Sequence, residues 1–362
     1  MEKKGIIVVT GCSGRIGTAV AKRFGATYQI VGFDVSEPRE KDPHVAFRKI
    51  DLSSDDNVKE GFEWIRQNYG NKITSVIHLA AYYSFSKGSP EKYDAITVQG
   101  TRRVLEAAQT FECDQFIFSS TQLIYKPTEV GVRVNENSTV AAKWDYPESK
   151  VKTEALMHEK HGNLPIVVLQ IVGCYDDMCH SIPISNQIQR IYEHQLASRL
   201  FPGDLTHGAP FMHLDDLAEA LWLCVQKRKE IPREIKILVG EDQTVSYDKM
   251  QREISRLLFG KEIKTMRIPK WFAKMGAWIQ NHVPIFPKTF IKPWMIDLAD
   301  DHYQLDITRA KTLLGWTPKH FVLDALPVMI DALKKDPIGW YKFNGLTMPA
   351  SLQHKLEKSA HG

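Results

Sequence analysis

Along the first 170 residues, short apolar runs alternate with stretches in which apolar positions recur every three or four residues. Residues 5–9, 28–33, 75–80, 115–119 and 165–169 are brief, β-branched and flanked by polar or turn residues, which predicts buried strands. Between them, Ile16, Ala19, Val20 and Phe24 form one helical stripe over 15–24. Val58, Phe62, Trp64 and Ile65 follow Asp55-Asp56 in a second helix, and Val104, Leu105 and Ala108 follow Gly100-Thr101 in a third. Apolar strands separated by helices predict a parallel sheet covered on both faces, a doubly wound α/β fold. After about residue 172 the rhythm changes. Residues 211–225 and 235–239 return to helix and strand, whereas 261–300 are helical or irregular and dense in Trp, Phe, Lys and Pro. The expected division is a first domain over 1–175, rejoined by 211–240. A smaller, mostly helical domain is built from 176–210 and 241–335. Residues 336–362 form a C-terminal extension, polar from Ser351.

The chain has 362 residues, 43% of them hydrophobic and 25% charged, enough apolar material for a full core. Collagenous, disordered and disulfide-scaffold classes are excluded. A net charge of +4 without a dense Lys/Arg block gives no nucleic-acid footprint. The five cysteines include no Cys-x-x-Cys pair, and the chain opens directly into a strand. Free thiols and a cytoplasmic location are expected. Cys174-x4-Cys179-His180 lacks a second ligand pair at zinc spacing, so no metal site is expected.

The first strand ends in Thr10-Gly11-Cys12-Ser13-Gly14-Arg15-Ile16-Gly17, a Gly-x-x-Gly-x-x-Gly loop between a strand and a helix. Gly11 permits the tight turn, Gly14 lets backbone N–H groups near a pyrophosphate, and Gly17 lets the helix lie close to the strand. Asp34 closes the second strand 17 residues later. Its carboxylate suits the two hydroxyls of an adenosine ribose and repels a 2′-phosphate, favouring NAD over NADP. Arg39, a few residues on, could neutralise such a phosphate. Asp51-Leu52, after a third short strand, would sit near the adenine; Asp51 also fits a helix-entry cap.

Six motifs in order now make the chain resemble the extended short-chain dehydrogenase/reductase superfamily, the NAD-dependent epimerase/dehydratase family. Besides the loop these are His78-Leu79-Ala80-Ala81, Phe116-Ile117-Phe118-Ser119-Ser120-Thr121, Tyr146-Pro147-Glu148-Ser149-Lys150, Phe211 to Ala218 with His213-Leu214-Asp215-Asp216, and Leu314-Gly315-Trp316-Thr317-Pro318. The resemblance implies a Rossmann domain and NAD held by Gly11, Ser13, Gly14, Arg15, Ile16, Gly17, Asp34, Asp51, Leu52, Leu79, Ala80, Ala81, Tyr146 and Lys150. It implies catalysis by Thr121, Tyr146 and Lys150, and a homodimer through a helix pair. Tyr146 and Lys150, at i and i+4, share one helix face. A nearby ammonium favours the phenolate, so Tyr146 can take a proton from an alcohol or return one to a carbonyl. Lys150 would also hydrogen-bond the nicotinamide ribose, and Thr121 would orient the substrate oxygen. The chain departs from the family pattern at Thr97, where Asn is frequent, and at 299–306, where Ala299-Asp300-Asp301-His302-Tyr303-Gln304-Leu305-Asp306 replaces an Arg-containing segment.

A sugar-nucleotide diphosphate needs cations, and the second half offers Arg190, Arg199 and Arg267 outside any clamp motif. It offers instead Trp271, Phe272, Met275, Trp278, Ile279, Phe286, Phe290 and Trp294. This resembles the hydroxysteroid-dehydrogenase-like branch, whose members take apolar substrates. Trp271, Met275, Trp278 and Ile279 fall on one helical face, which fits internal packing, a lid on a hydrophobic substrate, or a membrane-surface helix flanked by Lys261, Lys264, Lys270 and Lys274. His207 and His213 are expected near the pocket mouth, His213 as a hydrogen-bonded structural residue. The reading is an NAD-dependent oxidoreductase acting on a partly apolar small molecule. The alternatives are a sugar-nucleotide epimerase or dehydratase with recycled NAD, and a cofactor-binding scaffold protein.

Overall fold

The computed structural model describes residues 4–38, 41–84, 88–282 and 291–354; Arg39, Phe286, Phe290 and the tail beyond residue 354 lie outside the described residues. Seven strands form one parallel sheet: β1 (Ile6–Thr10), β2 (Gln29–Asp34), β3 (Val45–Lys49), β4 (Ser75–His78), β5 (Phe116–Thr121), β6 (Ile166–Ile171) and β7 (Glu234–Val239). Their order is β7-β6-β5-β4-β1-β2-β3. The direction of winding reverses between β1 and β4, and a doubly wound sheet opens its ligand crevice beyond the strand ends at that point.

The two-residue alternation of β1 assigns its side chains to two cores. Ile7 and Val9 pack on one face with helices α1 (Arg15–Phe24) and, from later in the chain, Leu214–Gln226. Ile6 and Val8 pack on the other with α2 (Asp55–Tyr69), α3 (Gln99–Gln109) and α4 (Asp145–Lys160). Ser54 caps α2 by accepting the Asn57 N–H at 3.2 Å, and Gly70 ends it at φ +86°. By contrast α1 begins at Gly14 with no side-chain cap, so its first N–H groups are left for a ligand.

A third cluster joins α5 (Ile182–Tyr192), α7 (Tyr247–Phe259) and α9 (Val322–Lys335) with Phe211, which precedes α6 (Leu214–Gln226); α8 (Lys270–His282) falls between α7 and α9 along the chain. Two segments pack across the boundaries expected from the sequence. Tyr303, Leu305, Ile307, Leu314 and Trp316 pack against the sheet. Residues beyond 335 continue into α10 (Pro337–Phe343), whose Trp340 and Tyr341 are buried in the third cluster. The reason is apolar content: Trp340 is among the largest fully buried side chains of the chain. Trp340→Ala should therefore lower stability by about 3–5 kcal/mol. A urea midpoint unchanged from the parent would mean that α10 adds nothing to the core.

Candidate active site

The crevice forms where β1 and β4 end. Thr10 and His78 pair in register, and Gly11 follows at φ +72°. A Cβ on Gly11 would lie 2.9 Å from the Ala80 nitrogen, and one on Gly17 would lie 2.5 Å from the Gly11 carbonyl oxygen. Glycine is thus required at both places, and the backbone cradle is one that a pyrophosphate can enter. Beside it, Asp34 accepts N–H groups from Ser13 and Ser36, each at 3.1 Å, while the Ser13 hydroxyl donates to the Ser36 carbonyl at 2.7 Å.

His78 is wholly buried in a directed chain of hydrogen bonds. Ala80 N–H donates to Thr10 Oγ1 at 3.2 Å, and Thr10 Oγ1 lies 2.7 Å from His78 Nδ1. His78 Nε2 lies 2.9 Å from Thr101 Oγ1, which itself donates to the Thr97 carbonyl at 2.6 Å. With the Thr101 proton committed to Thr97, Nε2 carries the ring hydrogen and Nδ1 accepts. Burial, helped by the Lys150 charge, pushes the His78 pKa down to about 3. Thr97 accepts the Tyr82 N–H at 3.0 Å.

On the same edge, β5 ends in three hydroxyls with separate tasks. Ser119 donates to the His78 carbonyl, Ser120 donates to the Glu154 carboxylate, and Thr121 accepts the Leu123 N–H at 3.3 Å with its hydroxyl on the side of the Tyr146 phenol. Tyr146 and Lys150 lie in the first turns of α4. Burial pushes the Tyr146 phenol above its ordinary value, and the Thr121 hydrogen bond opposes this. Lys150, 2% exposed, donates to the Ser119 carbonyl at 2.7 Å and stands 5.7 Å from the Tyr146 ring centre. Burial lowers its pKa to about 7, against the opposing pull of Glu154. Glu154 in turn accepts from Gln170 at 3.1 Å and pairs with Lys236 at 2.7 Å.

Aromatic rings surround the phenol. The Tyr83 ring meets Tyr146 edge-on at 4.7 Å between centres, Trp144 lies 5.4 Å away, and Trp294 packs on Trp144 at 5.5 Å. Lys143, next to Trp144, pairs with Asp301 at 2.6 Å. Asp300 pairs with Lys270 and accepts the Asp204 N–H at 3.1 Å. The acidic pair Asp300–Asp301 therefore ties loops together.

Thr121, Tyr146 and Lys150 are brought together, as are Gly11, Ser13, Gly14, Gly17 and Asp34, with Leu79, Ala80 and Ala81 continuing from β4 past Gly11. Ile16 packs against the sheet core and Leu52 is buried beside Gly100. Two predicted cofactor residues point their polar ends elsewhere. Arg15 donates to the carbonyls of His180 and Phe343, and the Asp51 carboxylate caps its own turn through Ser53 N at 2.9 Å. His213 Nδ1 accepts the Asp215 N–H at 3.2 Å and caps α6. His207 Nδ1 is 2.6 Å from the Asp300 carbonyl. The Cys174 and Cys179 thiols are pushed up to about 12 by burial, which keeps them protonated. Sequence reasoning did not single out Glu154, Tyr83, Trp144 or the Thr10–His78–Thr101 chain. Glu154 carried a signal: it lies one helical turn beyond Lys150, the same step that separates Lys150 from Tyr146. The internal-packing reading of α8 does not hold, because Trp271 is 67% and Trp278 54% exposed. Among the described residues of the insert, Trp294 reaches the aromatic group.

The sheet order and the glycine cradle define an NAD-binding α/β enzyme. A family model of the NAD dependent epimerase/dehydratase family matches residues 7–240, and the chain belongs to that family. UDP-glucose 4-epimerase of Vibrio cholerae is 24% identical over 324 residues, covering 86% of this chain and 90% of that protein. The 3 beta-hydroxysteroid dehydrogenase type 7 of Homo sapiens is 27% identical over 277 residues, covering 67% and 72%. The crystal structure of Thermus thermophilus UDP-glucose 4-epimerase in complex with NAD superimposes with a TM-score of 0.68 at 19% identity, over 91% of this chain and 99% of that one, a likeness of fold.

Two outcomes test this geometry. Gly11→Ala should abolish NAD binding by calorimetry, since the added methyl meets the Ala80 backbone; binding at parental affinity would refute the cradle. Lys150 loses its proton near pH 7 when folded and near ~10.4 when unfolded. The unfolded chain binds more protons between those values, so stability rises with pH across that window. Lys150→Met should flatten this rise in melts from pH 7 to 10; an unchanged slope would mean that Lys150 titrates normally.

Proposed function

We propose that this enzyme transfers a hydride between NAD and a secondary alcohol or ketone of a partly apolar small molecule, with Tyr146 as the proton-transfer group. The observation that carries the proposal is the Tyr146 phenol, set beside Thr121 and Lys150 at the end of β5 and flanked by Tyr83, Trp144 and Trp294. Backbone N–H groups of the Gly11 to Gly17 loop, Ser13 and the start of α1 would hold the pyrophosphate. Asp34 would take the adenosine ribose hydroxyls and disfavour NADP. NAD, when bound, supplies the hydride donor or acceptor.

The chain's own residues supply the rest. The Thr121 and Tyr146 hydroxyls can converge on one substrate oxygen. With its pKa raised, Tyr146 is held as a phenol, ready to give its proton to a ketone oxygen. In the opposite direction Lys150, when protonated, would stabilise the phenolate that accepts the alcohol proton. The Ser119 carbonyl fixes Lys150, and Glu154 favours its charged form. The three aromatic rings suit an apolar body, and such a body seated on them would displace water and strengthen each of these electrostatic effects.

A second reading, epimerisation of a sugar nucleotide with NAD recycled, is supported by the Vibrio cholerae relative and by Arg190. That guanidinium has no hydrogen-bond or carboxylate partner among the described residues, and burial lowers its pKa to about 10. NADH formation from a panel of apolar secondary alcohols supports the first reading. Interconversion of UDP-sugars without net NADH supports the second. Tyr146→Phe should bind NAD normally and lose about 10²–10⁴-fold in rate; a fully active variant would sink the mechanism.

A further inference from the structure

The α8 helix docks through a narrow polar face. Lys270 donates to the Asp297 carbonyl at 3.0 Å and pairs with Asp300, Lys274 pairs with Asp297 at 2.6 Å, and Ala277, one turn further on, is buried. These positions recur on one side at three- and four-residue steps. The opposite side carries Trp271, Phe272, Met275, Trp278 and Ile279, every one of them exposed. Helix α8 contains no acidic residue. The approach to it, Lys261 to Arg267, adds exposed Lys261, Lys264 and Arg267 around exposed Met266.

We infer that α8 is a membrane-surface helix, lying in the plane of an anionic bilayer interface with its Trp side inserted among the lipid headgroups and acyl chains. Three features favour this occupant. Tryptophan has an apolar body and one N–H donor, a combination suited to the headgroup boundary. The exposed cations beside it match anionic lipid. The face is also too small for a second copy of the chain: 13 residues of helix span about 20 Å, whereas stable protein interfaces bury ~800 Å² on each partner. Because Lys270 and Lys274 are spent on Asp297 and Asp300, they anchor the helix to the protein; Arg267 pairs with Asp204 at 3.8 Å and Glu262 with Arg252 at 3.1 Å, so the lipid-facing charge falls to Lys261 and Lys264. The contact is independent of the reaction catalysed.

The full chain, loaded with NAD, is floated with vesicles of phosphatidylcholine alone or with phosphatidylglycerol added. The expected result is co-flotation with the anionic vesicles, weakened by high salt and abolished by Trp271→Glu with Trp278→Glu. Lys261→Gln and Lys264→Gln should each weaken partition by about fivefold. NAD affinity and melting temperature should stay parental, since these side chains are exposed; should the tryptophan variant melt early, Met275→Gln with Ile279→Gln replaces it. Absence from both vesicle types overturns the inference, as does flotation that survives these substitutions. A concentration-dependent dimer that the tryptophan variant dissolves, without flotation, overturns it in favour of a second copy.

Discussion

An ammonium buried within the protein governs the arrangement around it. Lys150 reaches the end of β5 through a nearly closed interior, where its charge costs several kcal/mol unless partners surround it. The Ser119 carbonyl satisfies one N–H, the Phe118 ring lies 4.6 Å from Nζ, and Glu154 supplies the opposing charge. That carboxylate is itself buried and needs Ser120, Gln170 and Lys236; Gln170 in turn accepts the Tyr125 hydroxyl at 2.7 Å. One cation thus accounts for polar residues on β5, β6, β7 and α4 that a purely apolar core would not contain.

The parts of this fold legible in the sequence are those with local periodicity. The strands and the first helices follow from apolar spacing, the nucleotide loop from three glycines, and the Tyr146–Lys150 pair from a single helical turn. The aromatic surround was not legible, because Tyr83, Trp144 and Trp294 meet only after the chain has crossed the sheet and returned. Spacing also identified the apolar face of α8 without revealing its direction. Direction was decided by Lys270 and Lys274, whose aspartate partners lie near residue 300 and turn the tryptophans outward. The same blindness to distant partners explains Arg15. Its position in the loop motif suggests a phosphate ligand, whereas its guanidinium spans from α1 to the His180 carbonyl and the end of α10.

Asp300 and Asp301 act as tethers beside the aromatic group. Asp301 holds Lys143, the neighbour of Trp144, and burial raises its pKa. Asp300 holds Lys270 at the start of α8 and accepts the Asp204 N–H. Two adjacent carboxylates, each matched by a lysine from a different part of the chain, thus join the aromatic group to α8.

His78 stands at the point where the sheet reverses, a place where a titrating imidazole would alter the field over the whole crevice. Its two nitrogens are each committed to a threonine, and its pKa near 3 keeps it neutral through the physiological range. It works there as an electrical insulator: a polar spacer that fills a hydrogen-bonding vacancy between β1 and α3 while contributing no net charge. The dinucleotide crevice is thereby buffered against a proton that histidine elsewhere would readily take up.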